Sequence, residues 1–524
     1  MALSRIALLL ALSAPAAAAQ SAFVMVSAAR NDTIQVESFT RTPAGLEAEL
    51  LSKGAPRQVF SSAIGADGRM GALTLALYPA GSAAGAQPMM TAKVAFAGDT
   101  AVAEMARQGS PPATQRIPSR AVAQPLMSTS VAQLQVMLDA ARRGTATTAT
   151  ATVFLVTGGM TLDVGFSNLR SDSITATFGP TVWWLRVDAA GRIMRGGLPS
   201  QGLIVTRVDG AAAGTLGREK PDYAAPAGAP YTAAQLAIPT PMGHTLGATF
   251  TRPAGATKPS AVVVSISGSG AQDRDGYISI VPGGYRLFRQ VADTLGRRGI
   301  AMLRFDDRGT GESGGSFVTA TSRDFADDAR AVIAFLRTRP DVDSRRIFLL
   351  GHSEGGMIAP MIAADDRALA GIVLMAGTGR KGREILEFQF GQQVAGDPSL
   401  PATTRAAQRA RVPAMVDSLV ASSAWMQFFA GYDPIPTARR VTVPVLILQG
   451  ADDQQVIADE ALMLERAFLA GGNRSVTTEI LPELNHLFIR QPGGAPSGYA
   501  TLKSNRAESQ VMGMVADWIS ERAR

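Results

Sequence analysis

From residue 261 onward, short apolar runs alternate with stretches whose apolar residues recur at helical spacing. No other feature constrains the fold as much. The runs are AVVVSI (261–266), GIAMLRF (299–305), IFLL (347–350), GIVLMA (371–376), PVLILQG (444–450) and VTTEIL (476–481). A continuous apolar run suits a strand covered on both faces. Between the runs, Leu287, Phe288, Val291 and Leu295 share one helix face, as do Phe325, Ala329, Val332, Ile333 and Leu336. A further helix is expected from about Gly355 to Ala364. Strands that alternate with helices of this length imply an α/β fold, a mostly parallel sheet with helices on both faces.

The chain before residue 232 has a different rhythm. Segments such as TATATVFLV (148–156) and TVWWLRVDAAGRIM (181–194) read as strands broken by Gly or Asp-Gly turns, and a helix fits 131–142. One curled antiparallel sheet is expected here. The region has no histidine and no acids at catalytic spacing, so no chemistry is expected in it. GREKPDYAAPAGAPYTAAQ (217–235) has the composition of an exposed linker. The expected organisation is a leader at 1–19, a β-rich domain of unknown function at 20–232 and an α/β domain at 233–524.

The leader, MALSRIALLLALSAPAAAAQ, places Arg5 ahead of an apolar stretch, with small residues up to an expected cleavage after Ala19. Its apolar part falls short of the roughly 20 residues that span a bilayer. A periplasmic or secreted mature protein without a transmembrane segment is expected. The chain contains no cysteine, which excludes disulfides, thiolate metal sites, a lipid-anchoring cysteine and a cysteine nucleophile. Its formal charge of +7 is nearly all arginine and scattered, which argues against nucleic-acid recognition.

Two stretches fit Gly-x-Ser-x-Gly, GESGG (311–315) and GHSEGG (351–356). A nucleophile elbow must turn a buried strand sharply into a helix. RRIFLLGHSEGGMIAPMIAADD reads strand, turn, helix around Ser353; around Ser313 a loop follows the strand and no helix starts for several residues. Ser353 is therefore the candidate nucleophile. GTGESG (309–314) also matches a dinucleotide fingerprint, but it neither leaves a strand directly nor opens a helix, so it reads as a glycine loop.

A serine needs a base, and the chain has three histidines. His352 is Ser353's own neighbour, and His244 is expected in a solvent-exposed hairpin turn. His486 follows the strand ending at Leu481 and is the candidate base. Activity is then expected to rise with pH as that base loses its proton. The histidine needs a carboxylate, and QGADDQQV offers Asp453, favoured by spacing, or Asp452, whose alternative role is to cap a helix starting near Ala458. The order Ser353, Asp453, His486 is that of α/β-hydrolases. Backbone N–H donors for an oxyanion are expected from Glu354 and, after AVVVSI, from Ser269, with Gly270 next.

The blocks SGSGAQDRDG, FDDRGTGES, GHSEGGMIAP, AGTGRKGREILEFQ, QFFAGYDP, PVLILQGADDQQV and LNHLF closely resemble secreted or periplasmic α/β-hydrolases of the esterase or serine-aminopeptidase-like (S33-type) kind, over about residues 238–518. The resemblance implies an α/β-hydrolase fold with Ser353 as nucleophile, Asp453 as acid, His486 as base and Ser269 as oxyanion contact. It implies a carboxylic ester hydrolase that uses no cofactor or metal and acts on a small-molecule ester, with short- to medium-chain acyl groups expected. AWMQFFAGYDP departs from the pattern, since relatives tend to carry a proline before the tryptophan. Residues 378–440 exceed a simple crossover, and a helical cap is expected there. Phe388, Trp425, Phe428 and Phe429 would line its substrate pocket. A peptidase for free amino termini would use the same triad and an acid for the ammonium, with Glu354, Glu384 and Glu387 as candidates. A dehalogenase is disfavoured, because its nucleophile is an aspartate. A non-catalytic envelope-binding protein with a vestigial hydrolase is the reading from another class.

Overall fold

The computed structural model describes residues 21–27, 33–52, 55–79, 87–108, 111–179, 181–214, 216–217, 221–395, 402–421 and 423–523. The expected leader lies outside them. The chain divides into two compact units, Met1–Tyr78 with Ala83–Lys220, and Pro79–Ser82 with Pro221–Arg524. The division precedes residue 232 because Tyr223 and Tyr231 are already buried in the second unit, where Tyr231 opens its first strand.

The first unit is a single sheet of fifteen described strands. Two meanders join where the first strand, Ser21–Ser27, pairs antiparallel with the last, Leu203–Asp209. Only Gln124–Leu126 pairs in parallel with its neighbour, Thr148–Leu155. The helix Val131–Ala141 is buried from Val131 to Leu138 and shares one core with both meanders. Burying a helix start leaves N–H groups without water. Glu37 meets them, accepting from Val131 N at 2.7 Å and Ala132 N at 3.0 Å, as well as from Ser130 Oγ. Burial pushes its carboxyl up to about 7.

The second unit holds eight strands in one sheet: β1 (Tyr231–Pro239), β2 (Thr245–Pro253), β3 (Ser260–Ile266), β4 (Ala301–Phe305), β5 (Val342–His352), β6 (Gly371–Met375), β7 (Val445–Gly450) and β8 (Val476–Leu481). Their order is β1-β2-β4-β3-β5-β6-β7-β8. β2 is antiparallel to β1 and β4, and every other pairing is parallel. With helices on both faces, this is the α/β-hydrolase fold. Alternate β-strand residues feed two cores: Val262, Val264, Leu349 and Ile447 on one face, Val263, Phe348, Leu350 and Leu448 on the other. That two-sided demand is why the strands are apolar throughout. The helices that matter for the site are α1 (Leu287–Arg297), α2 (Ser322–Arg337) and α3 (Glu354–Ala363).

Between β6 and β7 the chain inserts α4 (Gly382–Ala395), α5 (Ala402–Ala410), α6 (Val412–Val420), α7 (Ala424–Gly431) and α8 (Pro434–Ala438), the expected helical cap. Leu386, Val394, Val412, Val416 and Phe429 form its interior, and Met357 of α3 belongs to the same cluster. The cap therefore rests on the helix that follows Ser353.

Candidate active site

β5 runs straight into α3 with one residue between them, Ser353, at φ 55 and ψ −118. A positive φ is rare for a residue with a Cβ and marks stored strain at functional turns. Ser353 N donates to Met375 O at 2.9 Å, holding the turn to β6. The flanking glycines are required by contact. A Cβ on Gly351 would stand 2.0 Å from Gly355 O, one on Gly355 2.1 Å from Ile266 O, and one on Gly356 2.6 Å from Gly377 Cα. The elbow is thus wedged between the ends of β3 and β6.

His486 and Asp453 come from the loops after β8 and β7. His486 Nδ1 lies 2.7 Å from Asp453 Oδ2. A carboxylate accepts, so Nδ1 carries the hydrogen and Nε2 presents its lone pair. Asp453 is held by Gln455 N at 2.7 Å and Val456 N at 3.0 Å on Oδ1, and by Gln449 Nε2 at 3.0 Å on Oδ2. Asp452 instead accepts from Gly493 N at 3.0 Å, while the helix after β7, α9 (Ala458–Ala470), starts from Ile457. The geometry therefore selects Asp453 over Asp452 as the partner of His486. Ser353 is half-buried, and its hydroxyl makes no hydrogen bond among the described residues, so the structure joins two of the three expected triad groups directly.

The third link runs through a neighbour. His352, buried beside Ser353, has its Nε2 3.0 Å from His486 O, and the two rings stand 4.9 Å apart. A carbonyl only accepts, so His352 donates from Nε2. Burial, reinforced by the nearby His486, pushes His352 down from 6.5 to about 3 and keeps it neutral. It fixes the His486 loop against the elbow, a role its position beside the serine did not reveal.

The loop after β3 lies directly on the elbow: a Cβ on Gly268 would be 3.2 Å from Ser353 Cβ. Asp307 braces this loop from below, accepting from Ser267 Oγ at 2.5 Å and Gln272 N at 2.9 Å. Burial pushes the Asp307 carboxyl up to about 8. Ser269 follows in the same loop, and its hydroxyl donates to Glu354 Oε2 at 2.7 Å. Glu354 opens α3, where the first N–H groups have no acceptor within the helix. Its amide and that of Ser269 are therefore candidates for binding an oxyanion. The Glu354 side chain is 2% exposed, and burial raises its carboxyl above the usual range.

The four expected pocket residues separate. Trp425 donates from Nε1 to Glu354 Oε1 at 2.9 Å and stands 6.3 Å from the rings of both Phe317 and Phe429. Phe388 lies under the Arg380 guanidinium at 5.3 Å. Phe429 is buried in the cap interior. Phe428 stacks on Tyr432 at 5.5 Å and packs against the sheet core, because its face of α7 points toward the sheet.

His244 does not sit in a solvent-exposed turn as expected. Its Nε2 is 2.9 Å from Asp328 Oδ1 on α2, and Arg308 Nε donates to Asp328 Oδ2 at 2.6 Å. The hairpin is pinned by an acid 84 residues away, which local sequence does not reveal. The end of the SGSGAQDRDG block has a structural use. Arg274, fully buried, donates to Asp306 from Nε at 3.0 Å and Nη2 at 2.6 Å.

Residues 274–492 match the family model Hydrolase_4, described as serine aminopeptidase, S33. Esterase EstD of Thermotoga maritima is 28% identical over 268 residues, which is 50% of this chain and 62% of that protein. The chain thus spans about six-tenths of the length of that curated relative. Among solved structures, the Pyrococcus furiosus esterase Pf2001 aligns with a TM-score of 0.41 and 16% identity, over 58% of this chain and 98% of that one. The α/β-hydrolase GrgF from Penicillium sp. sh18 aligns with a TM-score of 0.39 and 15% identity, over 56% and 99%.

Proposed function

We propose that the second unit, an α/β-hydrolase, is a serine esterase that cleaves small carboxylic esters through Ser353, His486 and Asp453. The observation that carries this reading is the 2.7 Å bond from His486 to a fully anchored Asp453, set behind a strained serine elbow. The asymmetry of that bond decides the proton's route. With its Nδ1–H given to Asp453, His486 takes the Ser353 proton on Nε2 as Oγ adds to the ester carbonyl. A hydrogen bond from Ser353 Oγ to Nε2 would tighten in the substrate complex, as catalytic hydrogen bonds commonly do. The oxyanion forms against the amides of Glu354 and Ser269. His486 then returns the proton to the departing alcohol, leaving an acyl-serine. Water, deprotonated by the same nitrogen, releases the acid.

The family model's description and the curated relative's name point to different substrates, an amino terminus and an ester. An aminopeptidase needs an unoccupied acid in an enclosed site for the ammonium group; two of the three candidates are occupied and the third is exposed. Glu354 is buried and takes three neutral donors, Ser269, Ser322 and Trp425. Glu387 pairs with Arg383 at 3.1 Å, and Glu384 faces solvent. These occupancies favour the ester. Trp425 and Phe388, at the cap, are proposed to set a short- to medium-chain acyl preference. The leader sequence supports a proposed location in the periplasm or outside the cell, with the amino terminus of exported protein expected at Gln20.

The test is turnover of a p-nitrophenyl ester series, acetate to palmitate, beside a set of aminoacyl anilides. Ester turnover that is lost in Ser353→Ala and falls with chain length is expected. Anilide turnover without ester turnover would replace this reading with the peptidase.

A further inference from the structure

Glu354 is an unusual residue to find next to a nucleophile. Its carboxyl is buried with no cation within ion-pair distance among the described residues, a placement that costs free energy unless donors compensate. Three do, and each comes from a different element. Ser269 Oγ, on the loop over the elbow, donates to Oε2 at 2.7 Å. Ser322 Oγ, the first residue of α2, donates to Oε1 at 2.6 Å. Trp425 Nε1, on cap helix α7, donates to Oε1 at 2.9 Å. The position at the start of α3 adds the favourable end of the helix dipole.

We propose that Glu354 is a positioning residue that latches the cap to the oxyanion loop, so that the seat of Trp425 and the aim of the Ser269 amide are set by one carboxyl. This rests on the esterase reading above. The indole N–H can only donate, so its bond ties the position of cap helix α7 to the Glu354 carboxyl. Phe317 and Phe429 hold the same ring in place. Release of the cap therefore removes a donor from a buried acid, which draws harder on Ser269 and shifts the loop that binds the oxyanion. Filling the cap with substrate and forming the oxyanion hole become one event.

Two variants each remove one donor, Ser269→Ala with little loss of volume and Trp425→Phe with a smaller aromatic ring kept in place. Each is expected to lower kcat about tenfold, and the pair together also about tenfold instead of a hundredfold, because both act through one carboxyl. Trp425→Phe should also raise KM, whereas Ser269→Ala should leave it near the wild-type value. Glu354→Gln can still accept from Trp425 and Ser322 through its oxygen and donate to Ser269 through its nitrogen, so it should keep kcat within about threefold. Glu354→Ala should lose about a hundredfold, and in that background the Ser269→Ala and Trp425→Phe effects should vanish.

Effects that multiply, or Glu354→Gln as damaging as Glu354→Ala, would overturn the latch. The same cycle is read a second time as the rate at which a fluorophosphonate labels Ser353, which does not depend on the leaving group. Wild-type protein that is labelled but turns over no ester would sink the esterase reading, and the labelling rates would still decide the latch. Wild-type protein that is neither labelled nor active would overturn both.

Discussion

The stretches 311–315 and 351–355 carry the same five-residue pattern, and the structure uses their serines in opposite ways. Ser313 is buried and fully engaged: its hydroxyl donates to Asp306 O at 2.7 Å and accepts from Gly247 N at 2.9 Å. Its glycines serve a loop, with Gly311 at φ +55 against Asp306 and Gly315 at φ +84 beside the His244 ring. Ser353 is half-buried, holds the strain in its own φ and leaves its hydroxyl uncommitted. Its glycines serve packing, because backbone atoms of β3 and the following turn occupy the space a side chain would need. A motif of this kind acquires its meaning from the elements on either side. The pattern alone does not separate a hydroxyl that braces a loop from one free to react.

Substituting each serine in turn should produce the largest difference. Ser353→Ala should lower kcat by about 10⁵–10⁶-fold while the protein stays folded, as loss of the nucleophile does elsewhere. Ser313→Ala should leave kcat near wild type in steady-state assays at low temperature. The reverse pattern would make Ser313 the reactive serine and Ser353 the structural one. Asp453→Asn comes next, with a loss of about 10⁴-fold, since an amide at that position favours the wrong histidine tautomer. Asp452→Asn, one residue away, should change kcat less than about threefold; equal losses at both positions would contradict the selection of Asp453.

The remaining effects are on stability. Ser313→Ala leaves Asp306 O and Gly247 N without their buried partner and should cost about 1–3 kcal/mol, read by denaturant unfolding. Asp307 gives a pH-dependent effect. Its folded carboxyl is raised from 3.8 to about 8, so its contribution to stability is full below about pH 4 and is lost as pH rises through about 8. His352 has the opposite sign. Pushed down from 6.5 to about 3, it contributes above 6.5 and loses that contribution as pH falls through about 3. Thermal unfolding from about pH 4 to about pH 9 should show Asp307→Asn, which keeps both hydrogen bonds, losing less stability on the alkaline side than wild type. Parallel curves would remove Asp307 as the source.

The sequence made the site legible wherever chemistry followed local pattern. Ser353 stood out because an apolar run meets a glycine turn and a helical pattern within a few residues, and His486 because it follows a strand directly. Asp453 needed the structure to separate it from Asp452, since both lie at the same strand end and only the tight turn onto Gln455 and Val456 aims one of them at the histidine. His244 was misread because its partner, Asp328, belongs to another element. Glu354 was legible as a backbone donor but not as a side chain, since its three partners lie on three separate elements. The first unit was legible as a sheet of turn-punctuated strands with one helix, but not its parallel pair, Gln124–Leu126 with Thr148–Leu155. The pairing of its first and last strands depends on register between segments far apart in sequence, which alternation alone does not encode.

The most direct test is to label wild-type protein with a fluorophosphonate and map the adduct by mass spectrometry. One adduct is expected, on Ser353, absent in Ser353→Ala and formed far more slowly in His486→Ala, with Ser313 unmodified. An adduct on Ser313, or ester turnover that persists while Ser353 stays unmodified, would contradict it.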